Sequence, residues 1–96
     1  MKKKIVILGS TGSIGQNTFK IIEKNKKDFE ILLLSTNKNI TKIFNEAKKL
    51  NVKNIIINNF KKYKLAEQKF KNLNIKIFNK FEDIEKTLKK KKFIIQ

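Results

Sequence analysis

One stretch of this chain gathers residues that can do recognisable chemistry together: Gly9-Ser10-Thr11-Gly12-Ser13-Ile14-Gly15. All three glycines of the sequence lie in it, spaced G-x-x-G-x-x-G, with hydroxyls between them. A glycine at a strand end permits a sharp turn. A second, lacking Cβ, lets an anion approach the backbone, and a third lets the next helix close on the strand. The N–H groups of Thr11, Gly12, Ser13 and Ile14 are then expected to face a phosphate at the positive end of a helix. The hydroxyls of Ser10, Thr11 and Ser13 can add hydrogen bonds, and the helix dipole contributes about 0.3–2 kcal/mol. Without a ligand the same residues would make a tight turn and a capped helix. A nucleoside-triphosphate loop does not fit, because no Gly-Lys-Ser/Thr follows at the required spacing.

A second constellation is Ser35-Thr36-Asn37-Lys38-Asn39. Dinucleotide-binding folds that take NAD place an acid at the end of the second strand, on the ribose 2′-hydroxyl. No acid stands here. Lys38 can instead pair with a 2′-phosphate, which favours NADP. By composition alone Lys38 is one of many surface lysines and Asn39 a helix N-cap; their position beside the turn is what raises them.

These residues need elements to hold them. Ile5-Val6-Ile7-Leu8, within Lys3 to Gly9, is a near-continuous apolar run of the kind found in a strand buried on both faces. Ser13 to Asn25 reads as a helix with Ile14, Thr18, Ile21 and Ile22 on one face, widened by Phe19, and with Ser13 and Gln16 as a capping box. Phe29 to Ser35 is a second buried strand. From about Asn39 to Leu50, the residues Ile40, Ile43, Phe44, Ala47 and Leu50 form an amphipathic stripe. Ile55 to Ile57 is a short third strand. Tyr63, Ala66, Phe70 and Leu73 mark a third helix, and Ile75 to Phe78 a fourth strand. Asn79 with Glu82 is the expected cap of a last helix carrying Phe81, Ile84 and Leu88. Lys89 to Lys92 reads as its solvated, dipole-matched end, and Phe93 to Ile95 begins another strand. The alternation predicts an α/β fold: a Rossmann-like parallel sheet with helices on both faces, incomplete at the C-terminus.

The remaining composition narrows the chemistry. The chain has 96 residues, enough for one small domain. It has no Cys and no His, which removes disulfides, thiolate metal sites and histidine catalysis from these residues. The net charge is +16. Every basic residue is Lys, none is Arg, and the lysines are spread along the chain, so a nucleic-acid partner is not expected. No apolar run reaches the length of a membrane span, and no leader peptide is read in the first residues, so a cytoplasm-like compartment is expected.

The run from Ile7 to Gly15 resembles the signature of the 1-deoxy-D-xylulose-5-phosphate reductoisomerase family. The resemblance continues through Phe29–Leu34, the loop Asn37-Lys38-Asn39-Ile40-Thr41, and Phe44-Asn45-Glu46-Ala47. It is specific over the first 60 or so residues and reduces to fold and spacing beyond them. It implies that Thr11, Gly12, Ser13 and Ile14 hold the NADPH pyrophosphate, and that Asn37, Lys38 and Asn39 line the adenosine ribose phosphate. Asn37 stands where the family has Gly. The family rearranges 1-deoxy-D-xylulose 5-phosphate and reduces the intermediate with NADPH, using Mg²⁺ or Mn²⁺ held by acids of a later domain. Its members are several times longer and its homodimer contacts lie largely elsewhere. Residues 1–96 therefore read as a partial N-terminal NADPH-binding domain without the catalytic and C-terminal domains, inactive alone. Two other readings are a different NADP-dependent oxidoreductase and a basic nucleic-acid-binding module. Against the first, Glu67 stands where a Tyr-x-x-x-Lys pair starting at Tyr63 would need Lys; against the second, most Phe residues fall on expected core faces.

Overall fold

The computed structural model of the chain describes residues 2–89, 94 and 95. Its elements are β1 (Lys3–Ile7), α1 (Ser13–Lys24), β2 (Phe29–Thr36), α2 (Ile40–Lys49), β3 (Asn54–Ile57), α3 (Phe60–Lys69), β4 (Lys76–Phe78), α4 (Glu82–Lys89) and β5 (Ile94–Ile95). The expected alternation is present throughout. Phe93 and Lys90 to Lys92 lie outside the described residues.

The five strands form one parallel sheet in the order β4-β3-β2-β1-β5. That order follows from handedness. Right-handed crossovers from β1 to β2, β3 and β4 all step the same way, so α1, α2 and α3 share one face. The return from β4 to β5 steps back past β3, β2 and β1, which places α4 on the other face. Side-chain packing agrees. Ile5, Ile7, Leu34, Ile55 and Ile57 join Ile22, Ile43, Phe44, Ala47 and Ala66 in one core cluster. Val6, Leu33 and Ile56 join Ile84 and Leu88 in the second. Strand residues alternate between the two, except that Leu32 and Leu33 both join the second where the β1–β2 register shifts, and both faces are covered, which is why the strands read as unbroken apolar runs. The ring of Phe44 stacks on Phe70 with centroids 3.8 Å apart.

Four local expectations are corrected. The inward face of α1 is Gly15, Phe19 and Ile22, whereas Ile14 and Ile21 are 82% and 60% exposed. The apolar count favoured the wrong stripe because it ignored glycine, which faces the sheet at its closest approach. Ser13 and Gln16 make no capping box: Gly12 is the N-cap, with no side-chain bond to the helix, and the Gln16 amide turns inward. Asn79 does not cap α4 either. Its Nδ2 donates to the carbonyls of Ile57 and Asn58, and Asn58 Nδ2 donates back to Asn79 O, pinning the end of β4 to the end of β3. The third helix is also shorter than its marker residues, ending at Lys69 with Phe70 as C-cap and Leu73 beyond it.

Candidate cofactor site

The β1–α1 turn leaves the carboxyl end of β1, next to the point where the strand order reverses between β1 and β5. Ligands of open α/β sheets sit at such a reversal. Gly9 has φ +67°, the left-handed region a side chain resists. A Cβ on Gly12 would meet only Gly9 O at 3.5 Å, so that side of the turn is open. A Cβ on Gly15 would lie 2.2 Å from Gly9 O and 2.6 Å from Ser10 Cα. Gly15 is thus where α1 closes on the turn.

The hydrogen bonds decide what the turn can offer. Gly12 N–H donates to Gly9 O at 3.0 Å, so it is committed internally rather than free to face a ligand as expected. The first amide of α1 with an in-chain acceptor is Gln16, which donates to Gly12 O at 2.8 Å. Among the described residues, the N–H groups of Thr11, Ser13, Ile14 and Gly15 have no partner. Four unpaired donors at a helix N-terminus make an anion site. Ser13 and Ile14 are exposed and Thr11 half-buried. A shallow concavity of about 380 Å³ runs along Leu8, Gly9, Gly12, Ser13, Ile14, Gly15 and Thr18. Ser10 is a second correction: its hydroxyl is fully buried and donates to Glu46 Oε1 at 2.8 Å, away from any ligand.

The end of β2 is tied to the same turn. Gly9 N–H donates to Ser35 Oγ at 2.8 Å, Ser10 N–H to Ser35 O at 2.8 Å, and the hydroxyls of Thr11 and Thr36 share a 2.6 Å bond. Thr36 Oγ1 also accepts from Asn39 N–H at 3.3 Å. Thr11 and the Asn37–Asn39 loop are therefore brought together through Thr36. Asn37, Lys38 and Asn39 are all exposed. Asn39 is the N-cap of α2, its Oδ1 accepting from Lys42 N–H at 3.2 Å. Asn37 O accepts from Asn59 N–H at 2.8 Å. Among the described residues Asn51 is the only non-glycine with positive φ, so Asn37 stays out of the left-handed region.

Sequence reasoning named Ser35, Thr36 and Glu46 but gave them no role in the site. Two hydroxyls ending an apolar strand were a signal, as was an acid flanking the buried stripe of α2. Glu46 is 4% exposed. Burial pushes its carboxyl above the ordinary value, against the lowering effect of its bonds to Ser10 and Gln16 and of the Lys42 and Lys49 charges. The larger concavity, about 760 Å³, lies at the amino ends of the strands and is lined by Lys2, Lys26, Lys27, Lys49 and Lys53. It is at the opposite end from the turn, where the carboxyl ends of α1 and α2 favour cations.

Residues 5–95 match the family model for 1-deoxy-D-xylulose 5-phosphate reductoisomerase. The chain belongs to that family. Its sequence is 43% identical over 84 residues to the reductoisomerase of Pelagibacter ubique, covering 88% of this chain and 22% of that protein. It is 40% identical over 78 residues to that of Porphyromonas gingivalis, covering 81% and 20%. The chain thus spans about a fifth of the length of these reductoisomerases. The reductoisomerase of Zymomonas mobilis, solved in complex with NADPH, superposes with a TM-score of 0.75 at 26% identity, over 81% of this chain and 21% of that one. A reductoisomerase bound to NADPH, fosmidomycin and magnesium shares the fold, with a TM-score of 0.81 at 23% identity over 97% of this chain and 23% of the other. Among the described residues no group of three or more His, Cys, Asp or Glu can hold a metal ion, so no metal step is assigned to them. No helix of the described residues is long and apolar enough to cross a membrane.

Proposed function

We propose that this chain is the NADPH-binding part of a reductoisomerase that rearranges 1-deoxy-D-xylulose 5-phosphate and reduces the product to 2-C-methyl-D-erythritol 4-phosphate, for isoprenoid precursor synthesis. The observation that carries this is the set of unpaired amides at Thr11, Ser13, Ile14 and Gly15, on a turn whose Thr11 hydroxyl is tied through Thr36 to an acid-free loop bearing Lys38. Thr11, Ser13 and Ile14 hold the pyrophosphate through backbone N–H groups, and Gly12 contributes the missing Cβ. Asn37 and Lys38 take the ribose 2′-phosphate. Asn39 orders their loop as the cap of α2, leaving its side-chain NH₂ as a donor.

The chain's own part in the reaction is to bind and orient the dinucleotide; the hydride chemistry belongs to the cofactor. Substrate, Mg²⁺ or Mn²⁺ and the homodimer contacts engage the portion of the relatives that this chain does not match, and the setting is the cytoplasm. The test is Lys38→Ala. A lost bond to a charged group costs roughly 1.5–3 kcal/mol. NADPH affinity should fall by that amount in a fluorescence titration while NADH affinity holds. Equal losses for both cofactors would remove Lys38 from the 2′-phosphate.

A further inference from the structure

We propose that Glu46 is a positioning residue for the cofactor site, shaping the glycine turn through Ser10 and Gln16; this rests on the turn's being the NADPH phosphate site. The three residues close a ring through the Ser10 carbonyl. Ser10 Oγ donates to Glu46 Oε1 at 2.8 Å, Gln16 Nε2 donates to Glu46 Oε2, and the same Gln16 Nε2 donates to Ser10 O at 2.7 Å. Ser10 is 0% and Glu46 4% exposed. Glu46 sits on α2 and its partners sit 36 and 30 residues earlier, on the turn and on α1. One carboxyl thus joins three elements at the turn.

The ring has a specific consequence for the free amides. In a helix continued backwards, Ile14 N–H would bond the carbonyl of Ser10. Gln16 Nε2 occupies that carbonyl instead. Ser13 N–H would likewise bond Gly9 O, which Gly12 N–H occupies. Each carbonyl that would take a ligand-facing donor already accepts a bond from another group. Glu46 holds the Gln16 amide in the place where it does this.

Burial of an acid without a paired cation costs stability, and apolar replacements at such sites are often neutral or stabilising. A purely structural acid would therefore be dispensable, and Glu46→Leu separates the roles. Ser10 Oγ keeps Ser35 O at 3.3 Å, and the half-buried Gln16 amide, released from Glu46, can turn to solvent, so the variant leaves neither donor orphaned. In the full chain, three quantities are measured: the urea midpoint, amide exchange without ligand at Gly9, Ser10 and Gly12, and the NADPH dissociation constant. Glu46→Leu should keep its midpoint near wild type, exchange those amides about tenfold faster, and bind NADPH about tenfold more weakly, the scale seen when a group supporting a ligand contact is removed. Glu46→Gln keeps the Ser10 acceptor but sets NH₂ against NH₂ at Gln16, so it should fall between.

Unchanged exchange in Glu46→Leu overturns the strut, whatever the turn binds. Faster exchange with unchanged NADPH affinity overturns its role in cofactor binding. A wild-type chain that shows no NADPH binding overturns the cofactor reading and, with it, this role. Should Glu46→Leu fail to fold, Glu46→Gln against wild type decides the same three points.

Discussion

The residues that matter most are those whose polar groups have nowhere else to go. Thr11, Ser13 and Ile14 offer unpaired N–H groups, while Ser10 and Glu46 satisfy each other out of solvent. Glu46 also makes a pH prediction. Its carboxyl is raised by burial, so the folded chain holds that proton more tightly than the unfolded chain does. Its contribution to stability is full below the unfolded value of about 4.3 and is lost as pH rises through the folded value. Glu46→Gln carries no such titration. Urea midpoints measured from acid to neutral pH should show wild type losing ground to Glu46→Gln across that window. A difference that is flat with pH contradicts the assignment.

At the scale of elements, the glycine turn works because α1 touches β1's end at Gly15. A Cβ there would fall 2.2 Å from a backbone oxygen, which cannot rotate away. Gly15→Ala should destabilise the chain by about 1–3 kcal/mol, the range for forcing extra volume into a packed contact, read as a lower urea midpoint. A midpoint at or above wild type would mean the helix can back off without cost. The role of Gly15 was legible from spacing alone, as were the strand-helix order, the parallel sheet and the stripe of α2. The inward face of α1 was not, because Ile14 and Ile21 carry more hydrophobicity than the glycine that faces the sheet. Gln16 and Asn79 were misread as caps because their partners, Glu46 and the carbonyls of Ile57 and Asn58, are close only after folding. The turn's backbone amides could be named from the motif, but that Gly12 N–H bonds Gly9 O depends on dihedral angles no residue type specifies.

At the scale of the molecule, the chain carries a net charge of +16, yet a lysine-lined concavity lies at the opposite end of the sheet from the turn. Charge alone therefore does not single out the turn; its unpaired donors and the strand-order reversal do. No His, Cys or metal-holding acid cluster accompanies the turn among the described residues. The 96-residue chain given 1-deoxy-D-xylulose 5-phosphate, NADPH and Mg²⁺ is expected to show no oxidation of NADPH at 340 nm, the ordinary absorbance of the reduced nicotinamide. Turnover above the no-substrate control would place catalytic groups within these residues. The most direct test of the central claim is an amide chemical-shift titration of the chain with NADPH. Shifts concentrated at Thr11 to Gly15 and Asn37 to Asn39, and weaker at the second group with NADH, are the predicted result. Shifts confined to the lysines at the opposite end of the sheet, or none at saturating cofactor, would contradict it.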